Sequence, residues 1–299
     1  MSGLTRPATL PELAWIAGPA VRAQLVEDRA ELVAISASEP WRVRVTEKGE
    51  AVLLARWREH LDHCAMLGLW CSPRRVPLIV TDLLEVVRAQ GFGRLLSPLV
   101  PEPACRPYLD AGLRVVQRVV VMRLDLRPRA RALVQAPARA DGDAADATGQ
   151  ATRVHGLTVR EAGLADLGAI LGIDQDCFEP FWRYHRIGLE RFARTGRLAV
   201  GTIDGRIVGY TLATSRAGDG SLGRLAVAPD LRRRGIGRAL AEEAVGWLAG
   251  QGVRSAVLST QEANTASRSL YRGMGFAETG DVLVACASSG LTRETGEGR

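Results

Sequence analysis

The chain has 299 residues, 46% hydrophobic and 24% charged, with a formal net charge of +6. That length suits two domains of about 150 residues better than one, and no run of 18 or more apolar residues offers a membrane span. The five cysteines, Cys64, Cys71, Cys105, Cys177 and Cys286, are scattered and form no Cys-x-x-Cys pair, which points to a reducing cytoplasm and away from a disulfide framework.

Lys48 is the only lysine, so the positive charge is nearly all arginine. It is dispersed along the chain, and aromatic residues make up only 5%; nucleic-acid binding is not expected from that pattern. The first residues lack a charged start followed by an apolar run, so no signal peptide is expected. His60-x-x-His63-Cys64 looks like a metal fragment but lacks a fourth ligand, and no metal is expected.

Taken in order, residues 1–126 read as mixed α/β. Residues 10–35 hold short apolar segments and a helix-like stretch. Strands are expected at 41–45, 51–57 and 66–71. Residues 78–89 have helical spacing at Leu78, Ile79, Leu83, Val86 and Val87. Residues 94–100 read as a strand, 108–113 as the end of a short helix, and 115–124 as a long β-branched strand. Residues 127–153 are rich in Ala, Arg, Asp, Gly and Pro and read as a flexible linker. The second domain, 154–299, opens with a strand at 157–160 and a helical face over 164–173. A short helix at 189–193 follows. Strands at 198–203 and 207–214 are joined at Asp204-Gly205, a hairpin signal. Further strands are expected at 222–227, 253–260 and 282–287, with a polar, frayed tail from Ser288.

The two halves echo one another. Gln90-Gly91-Phe92-Gly93 resembles Gln251-Gly252-Val253-Arg254, and Tyr108-x-x-x-Gly112-Leu113 resembles Tyr271-x-x-x-Gly275-Phe276. The offset is about 160 residues in both cases, which points to a duplicated domain.

The halves differ at one turn. In the second, the strand ending Leu225-Ala226-Val227 leads through Arg232, Arg233, Arg234, Gly235, Ile236, Gly237 and Arg238 into a helix with apolar residues at Ile236, Ala239, Leu240, Ala244, Trp247 and Leu248. A helix N-terminus has unpartnered N–H groups and favours negative charge. Glycines allow close approach of the backbone, and arginines add donors shaped for phosphate. The turn therefore reads as an anion site. It is neither a Walker loop, since no Gly-Lys-Ser/Thr follows, nor a dinucleotide loop, since Leu240 stands where a third glycine is wanted. The first half has Ser72-Pro73-Arg74-Arg75-Val76-Pro77 at the matching place, without the glycine pair, and Pro77 removes an N–H donor.

Arg232-x-x-Gly235-x-Gly237 after such a strand resembles the acetyl-CoA loop of the GNAT N-acetyltransferase superfamily. Asn264-x-Ala266-x-x-x-Leu270-Tyr271-x-x-x-Gly275-Phe276 resembles that family's next helix. The resemblance is specific over 157–287 and faint before it. It implies two tandem GNAT-like domains of mixed α/β fold, each a mostly antiparallel twisted sheet flanked by helices, the first degenerate.

The same resemblance implies acetyl-CoA as co-substrate. The amides of the loop would hold its pyrophosphate, the backbone of Leu225 to Val227 would run along the pantetheine, and Asn264 would touch the cofactor. Tyr271 would act as general acid to the leaving thiol. Transfer to an amine also needs a base, because an amine with a pKa near 10 is protonated at pH 7. Ser259 falls where related enzymes often carry a glutamate, which leaves Glu262, Asp174, Asp176 and Glu179 as candidates. Asp174, Glu179, Phe181 and Trp182 fall where the family builds its acceptor pocket. Aromatic rings beside acids suit a cationic amine with an apolar part. The expected acceptor is the amine of a small metabolite. A protein N-terminal or lysine acetyltransferase and a non-catalytic acyl-CoA-binding module are the rival readings.

Overall fold

The computed structural model describes residues 3–23, 25–57, 61–127, 154–216 and 218–290. Two compact units are present, Met1–Arg118 with Val282–Arg299, and Val119–Asp281. The sequence reading kept each half contiguous. Here instead the long strand of the first half runs on into the second unit, and the last strand returns to the first. The expected linker lies outside the described residues apart from Arg127.

The first unit holds β1 (Thr5–Pro7), α1 (Leu10–Arg22), α2 (Arg29–Ser38), β2 (Val43–Thr46), β3 (Ala51–Arg56), β4 (His63–Trp70), α3 (Val76–Ala89), β5 (Arg94–Leu96), β6 (Val100–Pro101), α4 (Arg106–Asp110) and the start of β7 (Arg114–Asp125). The remainder of β7 belongs to the second unit. With it go β8 (Thr158–Glu161), α5 (Leu167–Cys177), α6 (Arg186–Thr195), β9 (Arg197–Ile203), β10 (Arg206–Arg216), β11 (Asp219–Val227), α7 (Ile236–Gly250), β12 (Ser255–Gln261), α8 (Thr265–Arg272) and the first half of β13 (Ala277–Ala287).

In the first unit β1 to β4 pair antiparallel in chain order, β4 and β5 pair parallel, and the end of β13 pairs antiparallel with β5 and β6. In the second, β8 to β11 pair antiparallel in order, β11 and β12 pair parallel, and β12 pairs antiparallel with β7. Each sheet is thus mostly antiparallel with a single parallel step.

The period-2 alternation of strands sorts side chains to two helix layers. In β3, Val52 and Leu54 pack under α3, while Ala51 and Leu53 pack under α1 and α2. In the second unit, α7 buries Ala241, Ala244, Val245 and Leu248 on one face, with Leu222, Ala256 and Leu258. On the other face α5 and α6 bury Leu167, Ile170, Ile173 and Leu189 against Val200, Tyr210, Leu212 and Ala226.

The duplication extends to irregularities. β4 carries one extra residue, Leu67, against β3, and β11 carries one, Gly223, against β10. Each parallel step lasts three residue pairs. Gly112 and Gly275 both adopt positive φ, 85° and 93°.

Other details depart from the sequence reading. The strand expected over 94–100 stops at Leu96 and resumes only at Val100–Pro101, because Pro98 cannot donate to a ladder. The strand expected from residue 41 opens as a 3-10 turn, Pro40–Arg42. Ser288 is not frayed. It is buried, and its backbone N–H donates to Leu95 O at 2.9 Å while its hydroxyl accepts from Leu95 N at 3.0 Å.

Candidate active site

β11 and β12 are paired only through Asp219–Ser255, Gly220–Ala256 and Ser221–Val257. Two residues later the Gly223 bulge bends β11, and no β12 residue is paired with it beyond Ser221. The β10–β11 register fixes what that open edge presents. Ala228 N donates to Val208 O at 2.9 Å, so Val208–Ala228, Tyr210–Ala226 and Leu212–Arg224 are the hydrogen-bonded pairs. Leu225 and Val227 fall between them and aim their N–H and C=O groups the other way, along the edge that β12 has left. Ala226, by the same register, spends its backbone groups on β10, and its side chain lies buried under α5. The Val227 carbonyl is already engaged, accepting from Cys177 Sγ and Arg232 Nε, each at 3.2 Å.

β11 leads through a 3-10 turn, Pro229–Leu231, to three exposed arginines. Arg233 has φ 61° and Gly235 φ 85°, so the chain passes twice through the left-handed region before the helix. Gly235 is the N-cap, with no side chain to cap the helix, and the first helical bond is Ala239 N to Gly235 O at 3.1 Å. The N–H groups of Ile236, Gly237 and Arg238 therefore precede the ladder, and none has an acceptor among the described residues. These free amides, beside exposed arginines, form a cradle suited to an anion. Its arginines are not alike. Arg232 folds back onto Val227 O. Arg238 reaches the Gly273 carbonyl at 3.3 Å, where it caps the end of α8. Arg233 and Arg234 make no ion pair among the described residues.

Asn264 caps α8, its Oδ1 accepting from Ser267 N at 3.1 Å. That leaves its amide NH2 group for a ligand. Tyr271, on α8, is 6% exposed and stands edge-on to Phe276 at 5.7 Å, against Met122, Leu124 and Leu222. Its hydroxyl makes no hydrogen bond among the described residues. Burial pushes the phenol well above its usual 10. A thiol titrates near 8.5, so moving the tyrosine proton to a free thiolate is uphill by about 2 kcal/mol or more. The neutral hydroxyl is suited to donate a hydrogen bond to sulfur as charge builds, with the proton following.

The candidate acids separate sharply. Asp176, Glu179 and Glu262 are exposed, as is Ser259. Asp174 is not a solvated acid: it is fully buried, accepting from the Tyr210 hydroxyl and from Tyr184 N at 2.7 Å, with Arg224 Nε 3.2 Å away. Phe181 and Trp182 lie on a 3-10 turn, Pro180–Trp182, half-buried and edge-to-face at 5.0 Å. Sequence reading missed Arg224 and Tyr210 altogether. Their signal was weak, a charged residue and a tyrosine inside otherwise apolar strands.

The first unit lacks the cradle. Arg75 N donates to Ser72 O at 2.9 Å, Val76 N to Pro73 O, and Pro77 has no N–H. The Arg75 guanidinium is turned onto Glu50 at 3.0 Å. Tyr108 holds the position of Tyr271 and is equally buried, 6% exposed, with its pKa pushed up to about 12 by desolvation. The tyrosine remains in place where the amides have been spent. Among the described residues, no three His, Cys, Asp or Glu side chains gather as metal ligands, and no helix is long and apolar enough to cross a membrane.

Residues 167–276 match the model of the Acetyltransferase (GNAT) family. This segment is a GNAT domain. It contains α5 to α8, the cradle and the open edge. Similar curated proteins are the [ribosomal protein bS18]-alanine N-acetyltransferases of Salmonella typhimurium, 34% identical over 77 residues, and of Escherichia coli K12, 32% identical over 77. Each match covers 26% of this chain, and the chain spans about half, 52%, of those relatives' length. Among solved structures, a GCN5-related N-acetyltransferase from Sphaerobacter thermophilus aligns over 97% of this chain and 96% of its own, with TM-score 0.60 and 18% identity. A tandem GNAT protein from the clavulanic acid biosynthesis pathway covers 84% and 82%, with TM-score 0.60 and 16% identity. These two likenesses are of fold, and they include a tandem protein.

Proposed function

We propose that the second unit transfers an acetyl group from acetyl-CoA to an amine. The observation that carries this reading is the uncapped N-terminus of α7 beside the open edge of β11. Free amides at a helix start suit a diphosphate, and the Leu225 backbone groups with the Val227 N–H, on the open edge of β11, suit an extended amide chain. The co-substrate supplies an acetyl thioester. The N–H groups of Ile236, Gly237 and Arg238, with Arg233 and Arg234, would hold the diphosphate. A backbone N–H on the β11 edge would polarise the thioester carbonyl, and the Tyr271 hydroxyl would donate to the leaving sulfur. Asp174 does not serve as base, since its oxygens are committed inside the protein. The exposed Glu179, Asp176 or Glu262 would take the amine proton, directly or through water.

The acceptor we favour is a small-metabolite amine held against Phe181 and Trp182. A second reading, a protein N-terminal amine, draws on the relatives named for ribosomal-protein alanine acetylation. The test is CoA release from acetyl-CoA with a panel of small amines beside a peptide beginning with alanine. Turnover on the panel alone supports the first reading and on the peptide alone the second. Tight acetyl-CoA binding without turnover on either would make this an acyl-CoA-binding module. Gly235→Glu places a carboxylate in the cradle and is expected to weaken acetyl-CoA binding at least 100-fold by calorimetry; unchanged affinity would overturn the loop assignment.

A further inference from the structure

The segment joining α5 to α6 is held at several backbone points, and most of the ties lead to one buried cluster. Arg224 extends from β11, one residue before Leu225, and its side chain is 9% exposed. Its guanidinium lies between the Phe178 and Tyr184 rings, 3.9 and 4.1 Å from their centroids. One terminal nitrogen donates to the Trp182 carbonyl. Nε sits 3.2 Å from Asp174 Oδ1, in ionic contact but with no hydrogen bond formed. Asp174 takes the Tyr184 N–H and the Tyr210 hydroxyl on its oxygens. Arg183 Nε adds a tie at 2.9 Å to the Phe178 carbonyl.

We infer that Arg224 is a positioning residue. It fixes the aromatic segment 178–184 at a set distance from the cofactor edge of β11, so that Phe181 and Trp182 form a preorganised acceptor wall rather than a mobile lid. The inference rests on the transferase reading for its purpose but not for its geometry. A buried charge pair is a poor way to gain stability compared with apolar packing. What this pair adds is direction: a planar fork with two stacked faces and donors at fixed angles fixes both register and rotation. Fixing reactants in place beforehand saves the entropy that binding would otherwise lose.

The test uses the full chain as wild type, Arg224→Lys, Arg224→Met and the double variant Arg224→Met/Asp174→Asn. The double variant keeps the experiment readable if a lone buried carboxylate prevents folding. Amide hydrogen exchange over 178–184 is expected to speed at least tenfold in both methionine variants, most at Tyr184, and to be partly restored in the lysine variant. Acetyl-CoA affinity by calorimetry is expected to stay within threefold. With whichever amine of the panel is turned over, KM should rise about tenfold while kcat stays within threefold. Unchanged exchange over 178–184 in a folded methionine variant would overturn the inference. So would a fall in kcat with KM unmoved. If no amine is turned over, the transferase proposal falls while exchange still decides whether Arg224 holds the wall.

Discussion

The Tyr271 hydroxyl is one oxygen on an otherwise buried ring, so removing it separates chemistry from packing. It forms no hydrogen bond among the described residues, and Tyr271→Phe should change stability by less than about 1 kcal/mol. Turnover should fall by about 100-fold, the usual weight of a positioned proton donor, while acetyl-CoA affinity stays within twofold. Stopped assays beside calorimetry check both halves; a loss of affinity with turnover intact would remove Tyr271 as acid. Leu240 provides the contrasting case. It lies on α7, fully buried beside Val208 and Ile236, and Leu240→Ala should cost about 2–5 kcal/mol in denaturant unfolding, since a cavity would open behind the first turn of the helix.

Individual elements are held by their ends. α5 begins after Leu164–Asp166, where Asp166 accepts from Gly163 N at 2.8 Å and pairs with Arg160 at 2.7 Å. The hydrogen bond from Arg160, with that backbone bond, holds the Asp166 carboxyl down at about 2, against 3.8 ordinarily. A folded pKa below the unfolded one means the stabilisation is present above about pH 4 and is lost as pH falls toward 2. Asp166→Asn should therefore lower Tm at pH 6 but hardly at pH 2. The loss at pH 6 should be about 1 kcal/mol, the worth of a capping carboxylate. Thermal scans at the two pH values check the sign. α3 and α7 differ at their starts. Both bury an apolar stripe on their sheets. Only α7 starts from glycine with its first amides unspent.

At the scale of the whole molecule, one fold is used twice, with unspent helix-start amides at α7 and not at α3. Acetyl-CoA should bind with a stoichiometry of one per chain. Arg75→Ala, which frees Glu50 in the first unit, should leave that number and the affinity unchanged. A second equivalent seen by calorimetry would show that the first unit binds as well, in spite of the Ser72 and Pro73 carbonyls closing its amides.

The strand–turn–helix at 222–240, the Tyr-x-x-x-Gly pairs and the repeat near 160 residues were legible in the sequence. Each rests on short-range rules: alternation, helical spacing, and glycine where φ turns positive. The mixed α/β class followed from the same periodicities. What only the tertiary structure decided was long-range partnership. The crossing of β7 and β13 between units, the Gly223 bulge that parts β11 from β12, and the burial of Asp174 beside Arg224, fifty positions away, depend on which strand lies beside which. A local pattern marks a residue as polar or apolar, but whether a charge meets water or a countercharge is settled only when distant segments pack.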